Sequence, residues 1–141
     1  GPQQIAFKNG DVYISRTFYD DDWNTFHGVT KIGTEIIEQN YGAGTACGGS
    51  ILKHQNAIYR SFDGGLSPMD LDLNLEIENK IGDYSQELVY HVENINGELW
   101  FALTNYIDYN EVRVIDSVGD EIAIYQVGQN PGDFAIWELN D

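Results

Sequence analysis

The stretch "YDDDWNTFH", residues 19–27, holds the densest set of chemically capable side chains in this protein. Asp20, Asp21 and Asp22 offer the carboxylate oxygens that hard divalent cations take, yet three consecutive aspartates lack the alternating D-x-D-x-D-G spacing that wraps calcium. An acidic, solvated turn is the plainer reading. Tyr19, Trp23 and Phe26 lie in the same polar stretch, where aromatic rings either fold onto the edge of the domain or present flat faces to a ligand. A second loop, "NYIDYN" at 105–110, repeats the mixture with Tyr106, Asp108 and Tyr109, and Asp63 and Tyr84 stand in comparable turns. Rings beside carboxylates suit two ligand types: sugars, which stack on the rings and donate hydroxyls to the carboxylates, and cationic or peptide partners, held by charge and cation-π contact.

Other chemistry is missing from the pattern. There is no G-x-S-x-G, H-E-x-x-H, P-loop or paired C-x-x-C, and His27, His54 and His91 lack metal-ligand spacing. Cys47, beside Gly48 and Gly49, reads as a small packed residue rather than a nucleophile. The expectation is a protein that is not an enzyme, with no cofactor and no metal. A carboxylate-based glycan hydrolase or lyase is the enzymatic alternative.

The 141 residues make one ordinary domain, and 23 Asp and Glu against 7 Lys and Arg give a formal net charge of −16. Phosphate backbones are bound through cationic neutralisation, so no nucleic-acid partner is expected. No run approaches the roughly 18 apolar residues of a membrane-spanning helix, so no membrane insertion is expected. With 9 Tyr, 6 Phe and 3 Trp the chain is rich in the residues that disordered sequences lack. Gly1-Pro2 has the form of a remnant of a cleaved expression tag, which places the start of the native segment near Gln3.

These loops are positioned by a repeat. "KNGDVYISRTF", "KHQNAIYRSF" and "NINGELWFALT" each join a turn to an apolar strand, and aligning Tyr13, Tyr59 and Trp100 gives steps of 46 and 41 residues. That period fits four short strands with their turns. Asn9-Gly10 and Asn96-Gly97 are two-residue hairpin signals joining a first strand to a second. Third strands are expected in "GVTKI", "MDLDLNL" and "EVRVID", the last two on their alternation of apolar and polar residues. Fourth strands end near Gly42, Gly82 and Gly128. The fold class is therefore all-β: three four-stranded antiparallel blade-like repeats, about 3–42, 43–82 and 83–128, within one domain spanning 3–141. An extra strand is expected at 131–139. "GDYSQELVYHVENING" and "TEIIEQN" also fit helices, but strands agree with the repeat.

The third repeat, "LWFALTNYIDYNEVRVIDSVGDEIAIYQVGQNPGDFAI", resembles the YVTN-type, YncE-like β-propeller repeat. The matching elements are Leu99–Thr104, Val112–Asp116, Ile124–Gly128, and Gly128 with Pro131. In the first repeat Gly33 stands where that pattern has an Asp. The resemblance implies blades packed face to face around an axis with the first strand innermost. It also implies extracytoplasmic bacterial proteins, at the surface or in the periplasm, that bind ligands or partners and mostly lack a catalytic centre; any signal segment would have been removed from this sequence.

Three blades leave two faces and two edges uncovered. A homodimer forming a six-bladed ring, with strand 131–139 pairing onto the partner, would cover them; a piece of a longer propeller, or a module capped by another protein, is the alternative. The functional expectation is a non-enzymatic surface binding module that recognises a protein or glycan through its Asp- and aromatic-rich rim. A structural assembly component, of surface-layer or virion type, using its open blade edges as interfaces is the second.

Overall fold

The structure is a computed structural model and describes residues 1–44, 49–108 and 110–137. Cys47 lies outside the described residues. The chain folds into three antiparallel sheets in sequence order. The first holds β1 (Pro2–Lys8), β2 (Asp11–Tyr19), β3 (Thr25–Ile32) and β4 (Ile36–Ala43). The second holds β5 (Ile51–His54), β6 (Ala57–Phe62) and β7 (Gly65–Pro68), and the third β8 (Val89–Ile95), β9 (Glu98–Leu103), β10 (Asn110–Ile115) and β11 (Glu121–Val127). Every strand pairs with its neighbour in sequence, so each sheet is a simple meander.

The turn chemistry sets this register. Asn9-Gly10 adopts φ of 54° and 89°, and Asn96-Gly97 54° and 92°, the left-handed pair that matches the twist of the flanking strands. Gln55-Asn56 does the same at 44° and 63° without a glycine. As a result Tyr13, Tyr59 and Trp100 each stand third after an equivalent turn, opposite Ala6, Leu52 and Glu93.

The expected third strand "MDLDLNL" is not a strand. The third strand of the second sheet is β7, and residues 70–74 form a closed loop joined at its base by a single bridge between Met69 and Leu75. One Asp70 carboxylate oxygen accepts from the backbone N–H groups of Asp72 (2.9 Å) and Asn74 (2.8 Å), and the other accepts from the Asn74 side chain (2.9 Å). The carboxylate captures donors that a ladder would need, and Leu73 turns to φ 68°. The alternation of apolar and polar residues is real, but Asp70 bends the backbone under it. The fourth strand of this repeat shrinks to the bridge between Leu66 and Ile81, preceded by a 3-10 turn at Ile77–Asn79. The three sheets accordingly have four, three and four strands rather than four each.

Both segments that also fit helices contain strands, β8 and β4. Residues 131–137 form no strand within the chain, and 138–141 lie outside the described residues.

Two apolar layers hold the sheets together. Ala6, Tyr13 and Val29 pack with Ile51, Ile58, Met69 and Leu73 between the first and second sheets. Leu52, Tyr59 and Leu66 pack with Val92, Leu99 and Phe101 between the second and third. At the first strands, polar side chains bridge one sheet to the next. The Gln4 side-chain oxygen accepts from the Ile51 N–H at 2.8 Å, and the Ser50 hydroxyl oxygen from the Val92 N–H at 2.8 Å.

Each sheet thus buries its tyrosine side against the next, as Tyr13 and Tyr59 show. Trp100, in the same position, points out of the stack and meets Tyr125 (5.7 Å) and Phe134 (5.8 Å). At the other end, the register places Ile5, Phe7, Ile32 and Ile36 on the outward face of the first sheet, where Phe7 is 67% and Ile36 70% exposed.

Candidate functional site

The β2–β3, β6–β7 and β9–β10 connections leave their sheets at the end opposite the first hairpin turns, and they carry most of the side chains singled out in the sequence. Together they form the rim of the stack.

The β2–β3 loop is closed by its own hydrogen bonds. Asp20 accepts from the backbone N–H groups of Asp22 (3.0 Å) and Asn24 (2.8 Å) through one oxygen and from the Asn24 side chain (2.9 Å) through the other. The Asn24 side-chain bond, with the backbone bonds behind it, holds this carboxyl below the usual carboxylate range. Asp20 is therefore committed to its own loop. Asp22 is exposed. Trp23 sits at φ 64° with 80% of its surface exposed, and its ring centroid lies 6.0 Å from that of the exposed Tyr19. Phe26 parts company with them. It stacks on Phe18 at 5.7 Å, on the outward face of the first sheet.

Asp63 and Gly64 form a two-residue turn with φ of 46° and 75°. Lys80 reaches across, with its ammonium 2.7 Å from the Asp63 carbonyl oxygen, 3.5 Å from the Asp63 carboxylate and 3.2 Å from that of Asp83. Tyr84 is half-buried; its ring packs on Phe101 (5.1 Å) and its hydroxyl donates to Glu121 (3.2 Å). Burial first, and the Glu121 charge second, push this phenol up to about 12. It belongs to the core more than to the rim. Tyr84 also borders a pocket of about 410 Å³ with Leu88, Leu103, Thr104, Asn110 and Arg113.

The β9–β10 loop is braced by amides. Asn105 accepts from the N–H groups of Ile107 and Asp108, both at 3.0 Å, and Asn110 accepts from the Asn105 N–H at 2.8 Å. Half-exposed Tyr106 stands at φ 64°, edge-on to Tyr90 at 6.0 Å, and Asp108 is exposed. Tyr109 lies outside the described residues. The rim thus displays Tyr19 with Trp23, and Tyr106 with Asp108, on two braced loops. It does not gather all the predicted residues into one pocket.

Sequence reasoning passed over Arg60. This side chain is fully buried between the first and second sheets. One terminal nitrogen donates to the Ser61 carbonyl oxygen at 2.5 Å, while Nε and Nη2 have no hydrogen-bond partner among the described residues. Its guanidinium carbon lies 5.3 Å from the centre of the Tyr41 ring, and burial lowers its pKa to about 10. Tyr41, His27 and Phe62 pack on one another beside a pocket of about 350 Å³. The available signal was a charged residue at an inward position of the apolar strand "AIYRSF".

Compared with known proteins, the chain matches no family model and no curated protein. Among the described residues no helix is long and apolar enough to cross a membrane.

Proposed function

We propose that this chain is a non-enzymatic binding module that recognises a protein or a glycan through the aromatic side chains of its rim. The observation that carries the reading is Trp23, an exposed indole held on a loop that the Asp20 carboxylate braces from within. An indole in water presents apolar area and a ring face at little further entropic cost when its backbone is already fixed. Tyr19 widens the same platform. The stack of antiparallel sheets and the wording of the third repeat support a β-propeller of the YVTN type, and with it an extracytoplasmic setting, at the surface or in the periplasm.

The test is an array of glycans and proteins probed with the chain and with Trp23→Ala. The variant is expected to lose binding and keep its thermal midpoint. A midpoint that falls by many degrees would assign the indole to packing instead.

A second reading, an assembly component, is favoured by the uncovered apolar face of Ile5, Phe7, Ile32 and Ile36. In this reading two copies complete a six-bladed ring, with residues 131–139 reaching the partner. Light scattering separates the two: a monomer across the accessible concentration range removes the ring.

A further inference from the structure

We propose that His91, Glu93 and Asp133 form a binding site for a divalent first-row transition metal, with Zn²⁺ as the natural probe. No linear spacing announces this site, because one of its ligands arrives from 40 residues beyond the others. His91 and Glu93 lie on β8, and Asp133 is delivered by the segment that follows β11. One ligand atom from each residue lies within 4.8 Å of the other two.

The surroundings favour a cation over a simple ion pair. The His91 Nε2 stands 3.5 Å from a Glu93 oxygen, too far for a strong hydrogen bond but suited to two ligands on one metal. Among the described residues no Lys or Arg forms an ion pair with Glu93 or Asp133, although both carboxylates lie in a chain of net charge −16. The parts are also held in place. The His91 ring is largely buried and packs on Phe134 at 5.7 Å, and one Asp133 oxygen accepts from the Phe134 N–H at 2.8 Å. Gly132 passes close to Tyr90, where an added Cβ would lie 3.2 Å from the ring.

One imidazole and two carboxylates make a borderline donor set. Such a set suits zinc and its first-row neighbours better than calcium or magnesium, which prefer oxygen alone. Three protein ligands leave a coordination position open. A pocket of about 510 Å³ adjoins the triad, lined by Gln3, Gln4, Ser50, Tyr90, His91 and Asp133, and it gives that position access to solvent or to a ligand oxygen. A bound ion would also tie the segment 131–137, which has no strand pairing of its own, to β8.

Calorimetric titration of the 141-residue chain with Zn²⁺, in an excess of Ca²⁺ that occupies the general acidic surface, tests the site. One saturable ion per chain is expected, and His91→Gln and Asp133→Asn should each weaken it at least about tenfold. Asp22→Asn, in the β2–β3 loop of the first sheet, should leave it unchanged. Because Asp133 is exposed and outside the sheets, its variant folds whatever the fate of His91→Gln. Zn²⁺ should also slow proteolysis of the segment 128–137. Absence of a saturable site, equal affinity in Asp133→Asn, or displacement by Ca²⁺ would overturn the proposal, and none of these outcomes bears on the rim.

Discussion

Arg60 presents its guanidinium to the face of Tyr41 at 5.3 Å, and no carboxylate stands opposite it among the described residues. A buried cation with two unpartnered nitrogens forfeits hydration that one ring face and one carbonyl only partly replace.

Arg60→Met should therefore raise stability by about 1–3 kcal/mol, since an unbranched apolar chain fills the same channel without the desolvation cost. Urea unfolding measures it. A loss of about 2 kcal/mol or more would mean that the guanidinium has a partner.

Acid should weaken the fold in two separate windows. Burial lowers the pKa of His27, with the Arg60 charge adding to it, and burial alone lowers that of His54. A base whose folded pKa lies below its unfolded value binds more protons when unfolded. Stability is then full above the unfolded value, about 6.5, and declines as pH falls below it. The Asp20, Asp70 and Asp116 carboxyls are held low by hydrogen bonds, those of Asp20 and Asp70 chiefly by the Asn24 and Asn74 side chains and that of Asp116 by backbone N–H groups. Their contribution is present above about pH 4 and is lost as pH falls through their folded values. Unfolding midpoints at pH 7.5 and 5.5 should differ, and His27→Gln combined with His54→Gln should shrink the difference.

The loop at 70–74 should depend on its first residue. Asp70→Ala removes the acceptor of three hydrogen bonds, whereas Asp72→Ala removes an exposed carboxylate and keeps the backbone N–H that Asp70 accepts. The thermal midpoint is expected to fall clearly for Asp70→Ala and little for Asp72→Ala. Equal effects would show that the loop is set by Met69 and Leu75 at its base.

Phe134 should act as a lid on Trp100. Phe134→Ala removes an edge-on ring 5.8 Å from the indole, an arrangement worth about 0.5–1.5 kcal/mol beyond its buried area. It should also shift indole emission to the red, and the shift should vanish in a Trp100→Leu background. An unchanged spectrum in Phe134→Ala would place this segment elsewhere in solution.

The meanders were legible because their punctuation is local. Asn9-Gly10 and Asn96-Gly97 announce their hairpins, and the apolar strands between them keep a common distance from each turn. Gln55-Asn56 adopts the same geometry without glycine and was placed only by its position in the repeat. Residues 69–75 misled because period-two alternation is shared by strands and by this loop, and the deciding agent is one carboxylate on Asp70. The braced setting of Trp23 was hidden for the same reason, since Asp20 in "DDDWN" and Asp70 in "DLDLN" do the same work. Arg60 and the meeting of Asp133 with His91 depend on which sheet faces which, and no window of neighbouring residues records that.

Because Tyr13, Tyr59 and Trp100 occupy one repeated position, the stack has a polarity: its leading side is unlike its trailing side. Any further copy that extended the internal packing would have to join leading side to trailing side, and every such junction would be alike. Growth of that kind has only two ends in geometry, a circle if the turn per junction divides a full rotation and an unbounded thread if it does not.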